Sequence, residues 1–307
     1  MTSTTAGSTP SAAAKRHHLR KMLKNEPFIV APAVHDVFSL RLVEKAGFQS
    51  ACISGAMLSY GMLGVPDIGL LTLSDTVDHC RKISSASRIP ITADADAGFG
   101  NSRGVYYSVQ LFEDAGAAGV NLEDQVVPKR WGAGPGKEVV STAEMVSKIR
   151  AASSARQDEN FLIIIRSDAF ATESLEQVLE RVSAYQDAGA DMLLPIAPRS
   201  EANVERLVHR LDIPVSLSIG TGLWPSPSAA NLSLDRIRAL GVRRVSLTTL
   251  LHGASVHAMG KSLVSLQRVL TGEEVQSEHE PAVKGAKSLD ALFDAVSQFD
   301  LERALLT

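Results

Sequence analysis

Cysteine is scarce in this sequence, and that scarcity excludes the small disulfide-stapled classes of protein. Only two cysteines, Cys52 and Cys80, occur among the 307 residues. Their spacing matches no zinc motif, and two thiols provide no disulfide framework. Such usage is typical of a reducing compartment, and we predict a cytoplasmic location.

An excess of one charge and long apolar runs are also missing. The formal net charge is −3, so the chain has no basic footprint for nucleic acid or an anionic membrane, and we expect neither partner. No apolar run approaches the roughly 18 residues of a membrane span. The stretch MTSTTAGSTPSAAAKRHH at the N-terminus lacks the apolar core of a secretory signal. We predict instead that residues 1–14 form a disordered polar tail.

The sequence does contain eight short apolar segments, each followed by a segment with helical periodicity. This alternation predicts a parallel sheet, and eight repeats in one chain predict a (β/α)8 TIM barrel over residues 15–270. An open doubly wound sheet is the alternative, but VAPAVHDVF after the first strand has no glycine-rich phosphate fingerprint. The predicted strands are 28–33, 50–55, 89–96, 119–124, 161–168, 191–197, 213–219 and 243–249.

Repeated glycine-containing stretches separate several predicted helices from the strands that follow them. Glycines in the repeated AGF, AGA and LGV endings are expected to stop helices before strands two, four, six and eight. Helices are predicted over 15–24, 36–47, 72–87, 103–117, 141–155, 174–190, 202–211, 233–241 and 251–270.

Residues 271–307 form a linker and a C-terminal helical extension in this prediction. The segment 271–285 is polar, and 288–306 has the pattern of an amphipathic helix. The barrel wall is already complete before it. We therefore expect the helix to pack on a neighbouring subunit or on the rim of the barrel.

Acidic residues follow three neighbouring predicted strands. In ITADADAGFG, Asp94 and Asp96 are two residues apart, so on a strand they would point to one side. Glu123 ends the next strand, and catalytic groups of barrels lie at these carboxyl ends. Three crowded carboxylates need a cation, and an oxygen-only set selects a hard ion such as Mg2+. Asp124 is expected to be a helix cap or turn residue, and Arg166 and Asp168 end the fifth strand on the same rim.

Four stretches carry a family resemblance: SGAMLSYGMLGVPDIGLLT, DADAGFGN, GVNLEDQVVPKRWG and IIIRSDA. They resemble the short branch of the isocitrate lyase/phosphoenolpyruvate mutase superfamily, which contains methylisocitrate lyase, dimethylmalate lyase, oxaloacetate decarboxylase and carboxyphosphonoenolpyruvate mutase. The resemblance implies a homotetramer that exchanges the C-terminal helix, and a small carboxylic acid bound on Mg2+, with Mn2+ as an alternative ion. It implies these site residues: Asp94, Asp96 and Glu123 for the metal; Ser54, Gly55, Ala56, Asp67 and Arg166 for the substrate.

The sequence departs from that family in the loop after the fourth strand. The lyases typically carry Lys-Arg-Cys-Gly-His, whose cysteine is the proton donor, whereas this chain has Lys129 and Arg130 followed by Trp131. An indole is no general acid. The predicted catalytic residues are therefore Lys129, Arg130 and Arg166, with Lys129 or water as the proton source. Trp131 is predicted to close over the substrate as a hydrophobic lid.

Two further departures fall on the side of the pocket that meets the leaving fragment. Ile196 stands where the family usually has glutamate, and Ser218, a predicted substrate contact, stands where it usually has asparagine. The predicted function is a Mg2+-dependent lyase that cleaves a carbon–carbon bond of a 2-oxo or 2-hydroxy acid by retro-aldol reaction or decarboxylation. The alternatives are a phosphonate P–C bond enzyme and a non-catalytic carboxylate-binding protein.

Overall fold

The chain folds into a closed eight-stranded parallel barrel surrounded by helices. The computed structural model describes residues 9–130, 136–220, 232–273, 280–293 and 303. The strands are β1 Ile29–Val34, β2 Ala51–Ile53, β3 Ile91–Asp94, β4 Gly119–Glu123, β5 Leu162–Ser167, β6 Met192–Pro195, β7 Ser216–Ser218 and β8 Arg244–Leu247. They pair in the order β6-β5-β4-β3-β2-β1-β8-β7, and a parallel bridge between Leu193 and Val215 joins the two ends. The predicted TIM barrel is thereby confirmed.

Helices follow the strands in the order that the sequence predicts. Their bounds are α1 Ala12–Asn25, α2 Val37–Lys45, α3 Gly55–Leu58, α4 Leu73–Ala86, α5 Ser102–Asp114, α6 Thr142–Ala155, α7 Leu175–Asp187, α8 Glu201–Arg210, α9 Leu234–Ala239, α10 Leu250–Leu270, α11 Glu280–Lys287 and α12 Leu289–Leu292. A π-helical turn, Ser59–Leu63, continues α3, and a 3₁₀ turn, Ala169–Ala171, follows β5. None of the helices in the described part of the chain is long and apolar enough to cross a membrane.

The predicted glycine stops are confirmed. Gly47, Gly116, Gly189 and Gly241 follow α2, α5, α7 and α9 with φ between 85° and 107°. This left-handed backbone is open to glycine without a steric penalty. These stops end the helices that precede β2, β4, β6 and β8, and the parallel pairing of the strands brings all eight carboxyl ends to one rim.

Two predicted boundaries are wrong at the ends of the chain. The first helix begins at Ala12 rather than residue 15, because the Ser11 side chain caps it by accepting from the Ala14 N–H at 3.2 Å. The predicted linker 271–285 overlaps α11, which begins at Glu280. Disorder of residues 1–8 stays a prediction, and most of the predicted helix 288–306 lies outside the described residues.

The first and last described helices pack on opposite parts of the barrel. Leu19 of α1 is fully buried in a cluster with residues of β5 and β6. Near the other end, Phe293, which follows α12, stacks on Phe38 of α2 with ring centroids 5.9 Å apart. Exchange of the C-terminal segment between subunits stays a prediction.

Candidate active site

The predicted acids and the predicted arginine meet at the carboxyl rim of the barrel. Asp94 is the last residue of β3, Glu123 the last of β4, and Arg166 the penultimate residue of β5. The β4–β5 register pairs Glu123 directly with Arg166, whose Nη1 lies 2.9 Å from Glu123 Oε2. The barrel register, rather than nearness in sequence, creates this juxtaposition.

Asp94 is held by backbone groups on both oxygens. Oδ2 accepts from the Gly55 N–H at 3.2 Å, and Oδ1 accepts from the Asp96 N–H at 3.1 Å. A Cβ at position 55 would lie 2.7 Å from Asp94 Oδ2, closer than real Cβ contacts come. The Asp94 carboxylate can therefore occupy this position only because residue 55 is glycine.

The backbone geometry that places Asp96 at the site differs from the predicted one. The strand ends at Asp94, and Asp96 has a left-handed φ of 47°. The two-residue alternation of a strand therefore does not apply to it, and that part of the prediction is wrong. Its carboxylate instead turns toward Lys129, whose ammonium contacts Asp96 Oδ1 and lies 2.8 Å from Asp67 Oδ1.

Lys129 is the local counter-ion of the acids. Its side chain is buried, with 5% of the residue exposed. Burial opposes its charge, but Glu123 and the surrounding aspartates prevail and raise the pKa of Lys129 well above its ordinary value. An ammonium held this firmly is a poor proton donor, so the geometry favours charge balance over the predicted role as proton source.

The pKa values of the acids themselves are raised. Burial, with Asp94 adding to it and Lys129 opposing it, raises the pKa of Asp96 to about 6. Burial also raises the pKa of Glu123 to about 7, against the effect of Arg166. Burial disfavours the charged form of a carboxylate, and here that effect exceeds the opposing effect of the nearby cations.

The donor set fits a hard divalent cation in its chemistry. All candidate ligands are carboxylate oxygens, and Glu123 Oε2 is buried with no hydrogen-bond partner, since its approach to Arg166 has ion-pair distance but no hydrogen-bond geometry. Among the described residues, no three acidic, histidine or cysteine side chains converge as a complete ligand cage. The residues therefore fit Mg2+ bound by one or two carboxylates and several waters, which is its ordinary mode.

A second cluster, of which the sequence reasoning missed Lys137, lies next to the first. Arg166 donates from Nε to Asp168 Oδ2 at 2.8 Å, and the buried Lys137 pairs with Asp168 Oδ1. Although burial opposes the charge, Arg166 and Lys137 hold the pKa of Asp168 below its usual range. A lysine in a glycine-rich loop carries no sequence signal, and only the return of the loop to the rim places it here.

Asp124 is neither the cap nor the turn residue that the sequence predicted. It is fully buried and accepts from Ser167 Oγ at 2.7 Å, the Asp168 N–H at 2.9 Å and Tyr185 Oη at 3.0 Å. It thus fixes the backbone at the end of β5. Because Asp168 orients Arg166, Asp124 indirectly stabilises the position of the Arg166 guanidinium.

Two cavities open on this rim. The smaller, of about 250 Å³ and termed the substrate cavity, is lined by residues that include five predicted substrate contacts: Ser54, Ala56, Asp67, Arg166 and Ser218. Asp94 and Lys137 also line it. Asp96, Glu123 and Lys129 border a larger cavity of about 610 Å³, which does not include Arg166. The acids therefore lie on the boundary between the two cavities. The smaller cavity contains the Arg166 guanidinium, which suits a carboxylate.

Some of the remaining predicted residues line the substrate cavity, and others do not. Ile196 lines the substrate cavity beside Leu194 and Ala197, which confirms the apolar character of that side. The Ser218 and Thr248 hydroxyls lie 3.3 Å apart on the neighbouring wall. Arg130, a predicted catalytic residue, is exposed and lines neither cavity. Trp131, predicted as a lid, lies outside the described residues.

Comparisons with known proteins identify the family of the chain. Residues 19–267 match the model of the phosphoenolpyruvate phosphomutase family. The chain is 35% identical to 2,3-dimethylmalate lyase of Eubacterium barkeri over 83% of this chain and 86% of the relative. It is 34% identical to 2-methylisocitrate lyase of Salmonella typhimurium over 92% of each chain.

A solved structure, phosphonopyruvate hydrolase in complex with oxalate and Mg2+, is similar in fold. Its TM-score is 0.74 at 29% identity, and the match covers 90% of this chain and 98% of that one. The predicted superfamily, whose named members include carbon–carbon lyases, is confirmed. The chain belongs to the phosphoenolpyruvate phosphomutase family, within the PEP mutase/isocitrate lyase superfamily.

Proposed function

We propose that this protein is a Mg2+-dependent lyase that cleaves a carbon–carbon bond of a small 2-oxo or 2-hydroxy acid. One observation carries the proposal: oxygen-only acids and the Arg166 guanidinium face each other across one rim, beside a cavity of about 250 Å³. A cavity of that size suits a small acid and excludes larger cofactors.

The substrate carboxylate is oriented by Arg166 and by the segment after β2. Arg166 is fixed by Asp168 and Glu123, so its planar fork is pre-organised for a carboxylate. Ser54 and Ala56 line the cavity, and the Ser54 side chain makes no capping hydrogen bond to α3. Its hydroxyl is therefore available to the bound acid.

The metal would be held by Asp94, with Asp96 and Glu123 binding it directly or through water. When bound, Mg2+ supplies Lewis-acid stabilisation of the negative charge that grows on the 2-oxo oxygen as the bond breaks. The residues of the chain keep that charge in place. Gly55 holds Asp94 by its N–H, and Lys129 balances Asp67 and Asp96.

Decarboxylation agrees best with the proton donors that the sequence retains. The usual loop cysteine is replaced, Arg130 is exposed, and Lys129 is locked between carboxylates. A decarboxylase needs stabilisation of the enolate and then a proton from water. A retro-aldol lyase of a 2-hydroxy acid needs instead a base that takes the hydroxyl proton and a donor that protonates the leaving carbanion.

Phosphonate chemistry is the second candidate, and the similarity to phosphonopyruvate hydrolase favours it. The apolar side of the cavity argues against it, since Leu194, Ile196 and Ala197 offer no charge to a phosphonate. The two candidates share the metal rim and differ in the group that leaves.

The test is an assay of purified protein with Mg2+ and each of oxaloacetate, alkyl malates and phosphonopyruvate. We expect a 2-oxo acid product from a carbon substrate, loss of activity with EDTA, and loss in Asp94→Asn. Asp114→Asn, on the exposed end of α5, is the matched control and should keep activity. EDTA-resistant turnover contradicts the proposal, and Mg2+ binding without turnover of any substrate favours a non-catalytic binding protein.

A further inference from the structure

A single glutamine connects the end of β4 to the start of the loop that follows it. Gln125 is 1% exposed, and its side-chain amide makes a hydrogen bond at each end. Nε2 donates to Glu123 Oε1 at 3.1 Å, and Oε1 accepts from the Arg130 N–H at 3.3 Å. The amide therefore bridges a carboxylate acceptor and a backbone donor.

These two partners fix the orientation of the amide. A flipped amide would place its oxygen against the Glu123 carboxylate and its NH2 group against the Arg130 N–H, so that like groups would face each other at both ends. Side chains of similar length cannot make both contacts. An ionised glutamate has no proton to donate, and a methionine has neither a donor nor a strong acceptor. The two contacts together are therefore specific to an amide.

The backbone of Gln125 is held as firmly as its side chain. Gln125 forms an antiparallel bridge with Val139, and the neighbouring Val126 N–H donates to the Glu138 carbonyl at 2.9 Å. This short ladder joins the outgoing and returning arms of the loop after β4. The side chain of Gln125 therefore starts from a fixed backbone and has a partner on each side of its far end.

The carboxylate of Glu123 depends on this amide. Glu123 is 1% exposed, and within the residues that the structure describes Gln125 is its one hydrogen-bond donor. Glu123 Oε2 lies 2.9 Å from Arg166 Nη1 without hydrogen-bond geometry. A buried oxygen with no hydrogen bond is destabilising unless a ligand supplies a partner. Because Gln125 holds Oε1, Oε2 is the oxygen left open to a cation or to one of its waters.

We propose that Gln125 is a positioning residue for the cation site, which orients Glu123 so that Oε2 meets the ion or one of its waters. The inference rests on the proposed function, because the Mg2+ at the rim belongs to that proposal. Gln125 borders the larger cavity and does not line the substrate cavity, so it contacts no substrate. It acts through Glu123, in the way that the outer hydrogen-bond partners of metal ligands orient those ligands.

Calorimetric titration of the purified protein with Mg2+, and separately with Ca2+, tests this role. Gln125→Met keeps the length of the side chain and removes both hydrogen bonds. Its Mg2+ affinity should fall by about 10- to 100-fold, the usual effect of losing an outer partner of a metal ligand. Its Ca2+ affinity should fall by less than about threefold, because Ca2+ tolerates irregular ligand geometry and Mg2+ does not.

Two further variants complete the experiment. Val139→Ala is the matched control, because Val139 lies opposite Gln125 in the bridge and borders the same cavity but has no group that can hydrogen-bond to Glu123. It should keep both wild-type ion affinities. Gln125→Asn keeps the amide on a side chain that is one methylene group shorter, so it cannot reach Glu123 and Arg130 together. It should show the same selective loss of Mg2+ affinity, and it decides the question if Gln125→Met fails to fold.

The outcomes separate the inference from the proposed function. An unchanged Mg2+ affinity in a folded Gln125 variant, or an equal loss of affinity for Mg2+ and Ca2+, overturns the positioning role alone. A wild-type protein that binds no Mg2+ contradicts the proposed function itself, and the positioning role falls with it.

Discussion

Replacement of Gly55 by alanine tests how tightly the fold positions Asp94. The new Cβ would lie 2.7 Å from Asp94 Oδ2 and 3.1 Å from its Cγ, whereas ordinary contact begins at 3.4 Å. The carboxylate and the segment after β2 must therefore separate by about 0.7 Å. Misplacement of catalytic groups by about 1 Å can cost about 100-fold in rate.

We expect Gly55→Ala to weaken Mg2+ binding by at least about tenfold and to lower kcat/KM by about 100-fold. Gly61→Ala is the matched control, because no atom lies within 4 Å of the Cβ position in the π-helical turn nearby. Calorimetric Mg2+ titration, steady-state kinetics and thermal melts measure these effects. Wild-type Mg2+ affinity in a folded Gly55→Ala protein would refute the reasoning.

Three further predictions concern the groups around Asp94. Lys129→Met leaves buried carboxylates without their counter-ion, so urea unfolding in EDTA should show an unfolding free energy lower by about 3 kcal/mol. Added Mg2+ should partly restore this free energy, and an equal loss with and without Mg2+ contradicts the metal site. Asp124→Asn disturbs three buried hydrogen bonds and should cost about 2–3 kcal/mol of unfolding free energy, whereas an unchanged urea midpoint refutes the anchoring role. Arg166 and Lys137 lower the pKa of Asp168 in the folded state, so its stabilisation is present above about pH 4 and is lost as pH falls through the folded pKa. Asp168→Asn should flatten that acid limb in pH-dependent unfolding, and an unaltered limb contradicts the assignment.

The architecture was predictable because each repeat carries its own local signal. Apolar strands, periodic helices and the glycines at 47, 116, 189 and 241 recur in order, and the structure confirms them within a few residues. The strand-end position of Asp94 and Glu123 followed from the same alternation. A barrel then brings those ends together whatever the details of its loops.

The finer geometry depends on contacts between residues distant in sequence. Lys137 and Asp168 are 31 residues apart, and the Nη2 contact of Arg244 with Thr92 spans 152 residues. No periodicity reports such pairs. The prediction for Asp96 is wrong for a local reason, because its left-handed φ breaks the strand pattern two residues after β3 ends. The backbone N–H of Asp96, held by Asp94, is what reorients it.

The burial of Arg244 shows why a polar barrel interior is easily overlooked in a sequence. In RRVSLTT, an arginine at the start of an apolar strand resembles an exposed residue at the strand entrance. The parallel register with Ser216 and the burial of the side chain place it inside.

The most direct measurement of the central claim is the position of a bound cation. Crystals grown with Mn2+ and oxalate should give an anomalous peak about 2.1–2.2 Å from an Asp94 oxygen, with Asp96 and Glu123 bound directly or through water and oxalate between the ion and Arg166. A peak away from these acids, or oxalate bound at the rim with no cation beside it, would contradict the account.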